Sequence, residues 1–294
     1  MGLLRRVGAI ALGCFAYGVL VENQRFQVRR VTVPVLPAGA ERIRILHFSD
    51  VHLLRRNAAR IAFIRTLAGL EPDVVVGTGD NVAEPEAIAV LGEALGRLLQ
   101  VPGVYVFGSS DYETPHFKNP LGYVARSSAH VGFHGGIPTD ELEATLSSGG
   151  WRNLNEKRVT LEVQGLKLEF RGTNDAHLAL DDYPLVAGKP ASDIDLAIGV
   201  THAPYQRVLD AMVRDRVKLI LAGHTHGGQV CVPLYGALTT NCDLNPKYAK
   251  GLSRYRAGKR SSYLNVSAGL GTSPYAPYRF ACPPEVTLLT LTER

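Results

Sequence analysis

Six residues of two chemical types, spread through most of a 294-residue chain, have the makings of a metal site: Asp50 and His52, Asp80, His202, and the pair His224 and His226. Carboxylates mixed with imidazoles suit Mn, Fe or Zn. Six such groups exceed the needs of one ion, whereas two ions ~3.5–4 Å apart would use them all, with one carboxylate shared. Asp80 stands in Gly79-Asp80-Asn81, a turn in which glycine lets the backbone approach a metal closely, and it is the expected bridge. Asp50-Val51-His52 and His224-Thr225-His226 each set two ligands two residues apart, and in an extended segment such side chains share a face. Taken singly these pieces are ordinary. Asp-x-His is commonly surface, Gly-Asp-Asn is commonly a turn, and a lone histidine such as His202 is commonly a hydrogen-bonded structural residue. Gly223-His224-Thr225-His226-Gly227-Gly228 is less ordinary, since histidines set among glycines pack no core.

The elements that must carry these residues are legible as apolar runs that end in them. Ile43 to Phe48 reads as a strand ending at Ser49-Asp50, and Asp73 to Val76 as a buried strand ending in Gly77-Thr78-Gly79-Asp80. Val104 to Phe107 runs into Gly108-Ser109-Ser110-Asp111, Leu196 to Val200 into Thr201-His202, and Leu219 to Ala222 into Gly223-His224. Between them, Asn57 to Leu70, Glu84 to Leu99 and Tyr205 to Val213 carry apolar residues at helical spacing. Thr139 is expected to cap a helix reaching about Ser147, and Val159 to Val163 with Leu166 to Phe170 alternate around Gln164-Gly165 as a hairpin does. Leu264 to Ser267 and Val286 to Leu291 read as closing strands, and Thr32 to Ala40, with two prolines, as a linker or edge strand. Alternation of strand and helix implies parallel sheet with helices on its faces. Ligands in such sheets gather beyond the carboxyl ends of the strands, so five distant segments deliver their polar residues to one edge. The stretch from Tyr112 to Ile137 shows no clean period and holds His116, His130 and His134; a loop of that length is usually functional.

Composition narrows the class further. A formal charge of +5 and a pI of about 9.0 suit anionic partners such as phosphate esters or acidic lipid surfaces. No basic-aromatic pattern or zinc-finger spacing points to nucleic acid. Cys14, Cys231, Cys242 and Cys282 form no CxxC pair and no disulfide framework, so they read as small apolar residues. Arg5 and Arg6 precede an apolar run from Val7 to Val21, short for a full span of ~20 residues. With no small-x-small cleavage site after it, a single membrane anchor is expected ahead of a cleaved signal peptide or a buried helix. Residues 1–30 are therefore assigned to an anchor and 31–294 to one catalytic domain, with arginines on both sides of the apolar run leaving either orientation open.

The order Asp-x-His, Gly-Asp-Asn, Gly-x-x-Asp, His, Gly-His-x-His resembles the calcineurin-like metallophosphoesterase superfamily, over about Ile43 to Leu291. Gly269-Leu270-Gly271-Thr272-Ser273 and Pro284-Glu285 resemble its membrane-associated bacterial branch. The resemblance implies a four-layer αββα sandwich of two mixed β-sheets flanked by helices. It implies one metal on Asp50, His52, Asp80 and His226, a second on Asp80, His202 and His224, and a metal-bridging hydroxide that attacks phosphorus in line. Where the family has Gly-Asn-His-Asp or Glu, this chain has Gly108-Ser109-Ser110-Asp111. Ser109 thus stands where an asparagine would bind the second metal, and Ser110 where a histidine would touch the phosphate and assist the leaving group. A serine hydroxyl is a weak neutral ligand and no acid near neutral pH. The missing proton must come from His116, His130, His134 or His177, or the leaving group must need none, as with a pyrophosphate. The expected function is a metal-dependent phosphoesterase for phosphodiester or pyrophosphate bonds, with Asp80, Ser110 and Asp111 at its reacting centre, His116, His134 and His177 near the substrate, and lipid-linked or envelope phosphoesters as a substrate class. The alternatives are a membrane-tethered metal- or phosphate-binding module without turnover, and a metal-dependent hydrolase of some other ester or amide.

Overall fold

Runs of β-branched and aliphatic residues build two six-stranded sheets in the computed structural model, which describes residues 2–115 and 136–294. Helix α1 (Gly2–Leu20) comes first. The first sheet contains β1 (Gln27–Leu36), β2 (Ile43–Phe48), β3 (Val74–Gly77), β4 (Gly103–Tyr105), β5 (Arg152–Asn153) and the final strand β14 (Glu285–Glu293), in the order β1-β14-β2-β3-β4-β5. The second contains β6 (Arg158–Val163), β7 (Leu166–Gly172), β8 (Leu196–Thr201), β9 (Leu219–Ala222), β12 (Gly251–Ala257) and β13 (Arg260–Val266), in the order β12-β13-β9-β8-β7-β6. Both sheets are mixed. In the first, β2 to β5 run parallel and β14 pairs antiparallel with β2; in the second, β7, β8, β9 and β13 run parallel with antiparallel strands at both edges. A short ribbon of β10 (Cys231–Val232) and β11 (Gly236–Ala237) stands apart from both.

Alternation along each strand divides the core into three slabs. Ile43, Ile45, Val74 and Val76 meet Leu168, Ile198, Val200, Leu219 and Leu221 between the sheets. Leu46, Phe48 and Val75 face outward against α2 (Ala58–Thr66), α3 (Ala87–Leu95) and α4 (Thr139–Ser147). Ile220, Ala222, Leu264 and Val266 face the other way, against α5 (Gln206–Arg214). The result is an αββα sandwich whose central strands are buried on both faces, which is why they read as unbroken apolar runs.

The element boundaries differ from the sequence expectation where local chemistry intervenes. The helix expected over 84–99 ends as α3 at Leu95, because Gly96 takes φ +45° and a 3-10 turn follows. Pro138, not Thr139, precedes α4, and Thr139 is its first helical residue. Thr32 to Leu36 belong to edge strand β1, where Pro34 is tolerated because only β14 lies beside it. That strand begins earlier than expected, at Gln27: Arg29 and Arg30 mask it in the sequence, and Arg29 pairs with the buried Glu285 carboxylate at 2.7 Å. β12, an exposed edge strand with polar alternation, was not anticipated either. His116, His130 and His134 lie outside the described residues.

Phe170 is fully buried between the sheets. Phe170→Ala is expected to cost ~3–5 kcal/mol of stability, the usual range for emptying an aromatic site in a core. Urea unfolding followed by circular dichroism measures it; a loss under ~1 kcal/mol would mean the inter-sheet slab is not close-packed.

Candidate metal centre

The parallel strands β2, β3, β8 and β9 end on the same edge of the sandwich, and the loops that follow keep hydrogen bonding to one another past the sheets. Asp50 N donates to Gly79 O at 2.9 Å, His52 N to Asp80 O at 2.9 Å, and Leu53 N to Asn81 O at 3.1 Å, so the β2 and β3 loops run on as a ladder. On the second sheet Gly223 N donates to His202 O at 2.9 Å. The two sets are joined across the seam, where His224 N donates to both oxygens of Asp50 at 3.0 Å.

The two-apart spacing works differently from the extended geometry expected. Asp50, His52, Asp80, His224 and His226 all have left-handed backbones, with φ of 49°, 41°, 55°, 68° and 49°. Non-glycine residues avoid this region and occupy it only where the surroundings force it, commonly at functional sites. The glycines act as space rather than as hinges. A Cβ on Gly223 would lie 1.9 Å from Ser49 Oγ and 2.6 Å from Asp50 Oδ2, and one on Gly108 would lie 2.5 Å from Asp80 Oδ1.

Asp50, His52, Asp80 and His226 each present a donor atom, all within 4.8 Å of one another. His52 Nε2 lies 3.2 Å from His226 Nε2 and 3.2 Å from Asp80 Oδ2, and His226 Nε2 lies 3.6 Å from Asp50 Oδ1. Donors that share one first-row cation at ~2.1 Å stand ~3–3.5 Å apart, so this group fits a metal. The outer ring nitrogens set the tautomers. His226 Nδ1 faces Gly271 O at 3.0 Å and His202 Nδ1 faces Thr78 O at 2.6 Å. Each Nδ1 donates its N–H to the carbonyl, which turns Nε2 toward the centre, the arrangement usual for ligating histidines. His202 Nε2 is buried without a hydrogen-bond partner, 3.5 Å from Asp80 Oδ2. His224 Nε2 donates to Asn241 O at 3.1 Å, and its ring stands edge-on to His202 at 5.2 Å. Asp80 thus lies between two groups of imidazoles, and an orphaned buried nitrogen beside it is what a second cation would satisfy.

Charge in this pocket is finely set. Burial opposes ionisation of Asp80, but His202 and His52 outweigh it and hold the carboxyl well below the usual range. At Asp50 burial wins and raises the pKa despite His202. Burial, reinforced by neighbouring imidazoles, pushes His224 and His226 well below their ordinary value, so both are neutral and ready to ligate. His202 is also buried, yet Asp80, Asp175 and Asp50 together raise it well above.

The serine-bearing turn takes a supporting place. Ser110 N donates to Asp80 Oδ1 at 2.7 Å, and Ser110 Oγ meets His52 Nδ1 at 3.2 Å, so Ser110 holds two of the donors in position. Ser109 lies in the same turn, half-buried, its carbonyl accepting from Tyr112 N and Glu113 N. Asp111 is fully buried and accepts from the backbone N–H groups of Asp80, Asn81 and Gly108 and from Asn81 Nδ2. Burial and Asp80 push its pKa up to about 7 while those donors pull it down. With its oxygens so engaged it clasps the Asp80 turn instead of facing a substrate, in contrast to the reacting role expected for it. His177 is brought to the centre: its ring packs 4.5 Å from that of His224, and its Nδ1 meets Tyr205 Oη at 3.1 Å. Two buried arginines carry no sequence signal for their task. Arg60 Nη1 donates to the carbonyls of Val51 and His52, and Arg279 donates to those of Ala268, Gly269 and Gly271.

An αββα sandwich with a carboxylate–imidazole centre at the joined strand ends defines a metal-site protein of the phosphoesterase type. The family model for calcineurin-like phosphoesterases matches residues 43–228, and the chain belongs to that family. It is 28% identical to an uncharacterized metallophosphoesterase of Bacillus subtilis, YkuE, over 99% of this chain and 94% of that one. It is 26% identical to the phosphodiesterase YaeI of Escherichia coli, over 94% and 92%. A transmembrane protein with a metallophosphoesterase domain from Bos taurus is 28% identical over 93% of this chain, which spans 59% of that longer protein.

Gly223→Ala is expected to strip most of the bound metal, since its Cβ would displace Ser49 or Asp50. Gly69→Ala, at a glycine with open space around it, is the control and should keep the parent content. Elemental analysis of both variants decides, and equal metal in the two would remove the steric argument.

Proposed function

We propose that this protein is a metal-dependent phosphoesterase that uses two divalent ions, Mn, Fe or Zn, to cleave phosphodiester or pyrophosphate bonds. The observation that carries the reading is the position of Asp80 between the His52–His226 donors and the unpartnered Nε2 of His202. When bound, the ions supply an acidified water near neutral pH and neutralise charge on the phosphoryl oxygens. Asp50, His52, Asp80 and His226 hold one, and Asp80, His202 and His224 the other, with Ser109 as a weak neutral neighbour. Ser110 and Asp111 position Asp80 and His52. Similarity to the phosphodiesterase YaeI supports the diester class.

Ser110 brings no acid, and among the described residues His177, packed against His224, is the replacement. Its contact with His224 favours it over the expectation that the leaving group needs no proton. In this reading His177 donates the proton to the departing oxygen while Tyr205 Oη orients its Nδ1. His116 and His134, which lie outside the described residues, are proposed as substrate contacts.

The stretch Arg5–Gln24 is long and apolar enough to cross a membrane by length and composition. Together with the transmembrane relative, it supports a tether formed by the segment ahead of β1, shorter at its end than residues 1–30, and a substrate drawn from lipid-linked phosphoesters.

Asp80→Asn is expected to lower the content of both metals and to reduce manganese-supported turnover of bis-p-nitrophenyl phosphate by ~10²-fold or more, because several kcal/mol rest on the ions. Full metal content with normal turnover would remove the bridging role; no turnover by the parent protein would favour a binding module instead.

His177→Ala should lower turnover of an alkyl phosphodiester by ~10²-fold while sparing the activated aryl ester, since only the poor leaving group needs the acid. Ser110→His should raise alkyl turnover selectively. Equal effects on both substrates would take the acid role away from His177.

A further inference from the structure

Outside α1, most of the exposed large apolar side chains among the described residues gather in one place, with Val21, Leu180 and Leu185 lying elsewhere. Val230, Val232, Leu234, Tyr235 and Leu238 lie on the ribbon β10–β11 and its flanks, and Tyr275 lies on the segment beside it. Leu234 is fully exposed and Tyr235 is 77% exposed. The turn places Leu234 in the left-handed region at φ 68°, a costly backbone for a branched residue. No Asp, Glu, Lys or Arg occurs between His226 and Asp243, in a chain that is 20% charged. A ribbon of this size cannot bury its own apolar faces.

Two contacts say where it sits. Both ends of this segment adjoin the candidate centre: β10 begins five residues after His226, and Asn241 O accepts from His224 Nε2 at 3.1 Å. Its base grips the same segment that holds α1. Cys231 N donates to Phe280 O at 2.8 Å, Phe280 N donates to Gln229 O at 3.1 Å, and Gln229 Nε2 donates to Ala276 O and Tyr278 O. From the other side, Arg279 N donates to Gly18 O at 3.2 Å, Tyr17 packs edge-on to Phe280, and the Glu22 carboxylate accepts from Ala281 N and Cys282 N. The helix end and the ribbon are therefore fixed to one short strip of backbone.

We infer that the 229–242 ribbon is a second, shallow contact with the bilayer that α1 enters, and that it sets the metal centre at headgroup depth so that the substrate is a phosphoester lipid of that same membrane. This rests on the phosphoesterase reading above. The bilayer is the occupant the surface fits: it is uncharged, tipped by an aliphatic and a tyrosine suited to the interface, and continuous with an apolar helix. From Phe280 the tip reaches ~10 Å at ~3.3 Å per residue, comparable to the ~5–10 Å to which interfacial apolar faces sink.

The test uses the full chain reconstituted in vesicles of phosphatidylethanolamine and phosphatidylglycerol. Trp151 is the single tryptophan and is buried, so Tyr235→Trp adds one surface reporter. Its emission should be blue-shifted, largely lost when the vesicles contain acyl-brominated lipid, and protected from aqueous acrylamide. Emission open to acrylamide, or shielded from both quenchers as by a second protein copy, overturns the membrane contact. In a second arm, Leu234→Glu with Leu238→Glu should cut hydrolysis of a diacylglycerol p-nitrophenyl phosphate in the vesicle about tenfold or more and leave soluble bis-p-nitrophenyl phosphate unchanged. Unchanged lipid turnover overturns the substrate assignment. If the parent hydrolyses neither ester, the phosphoesterase reading fails, and the bromolipid result still decides the contact.

Discussion

Asp50 and Asp80 carry carboxylates at 0% and 4% exposure into the seam between two sheets, and burying an unpaired charge costs several kcal/mol per ion. Most of what surrounds them answers that cost. His224 N and Ser49 Oγ donate to Asp50, Ser110 N donates to Asp80, and His52 and His202 bring imidazoles to within 3.2 and 3.5 Å of Asp80 Oδ2. The protein atoms alone leave the account incomplete. His224 and His226 are kept neutral, and His202 Nε2 has no partner. Cations of the kind proposed would close it, as a counter-charge that both carboxylates and the inward ring nitrogens could share.

The same requirement explains the shape of the loops. To aim donors inward from four strand ends, the chain accepts left-handed backbone at Asp50, His52, Asp80, His224 and His226. Such strain persists only when the surroundings over-determine it. Asp111 clasps the Asp80 turn, Arg60 and Arg279 tie down carbonyls, and the parallel ladders continue into the loops. Arg279 also links outward: its side chain holds Gly271 O, which fixes His226, while its backbone N–H reaches Gly18 in the N-terminal helix. The candidate metal ligands and the N-terminal apolar helix thus share a structural connection.

The central strands were legible, and the six candidate donors stood out, because the physics that forms them is local: continuous apolar runs, then glycine, then acid or histidine. The αββα layering followed from that alternation together with the family resemblance. What stayed hidden depended on partners distant in sequence. β1 looked too charged to be a strand until Glu285 met Arg29, and β12 is an edge that needs β13 to exist. Asp50 and His52 looked like neighbours on an extended face, while their actual convergence depends on the Gly79–Asn81 loop that they pair with. Asp111 drew attention as an acid in a motif, and only its ring of N–H donors reveals a clasp.

The most direct test is diffraction from manganese-soaked crystals at the metal's absorption edge. The account predicts two anomalous peaks ~3.5–4 Å apart, with the Asp80 carboxylate between them, one beside Asp50, His52 and His226 and the other beside His202 and His224. A seam without anomalous density, or one in which the Asp50 and Asp80 carboxylates contact only protein donors while the protein still turns over phosphodiester, would contradict it.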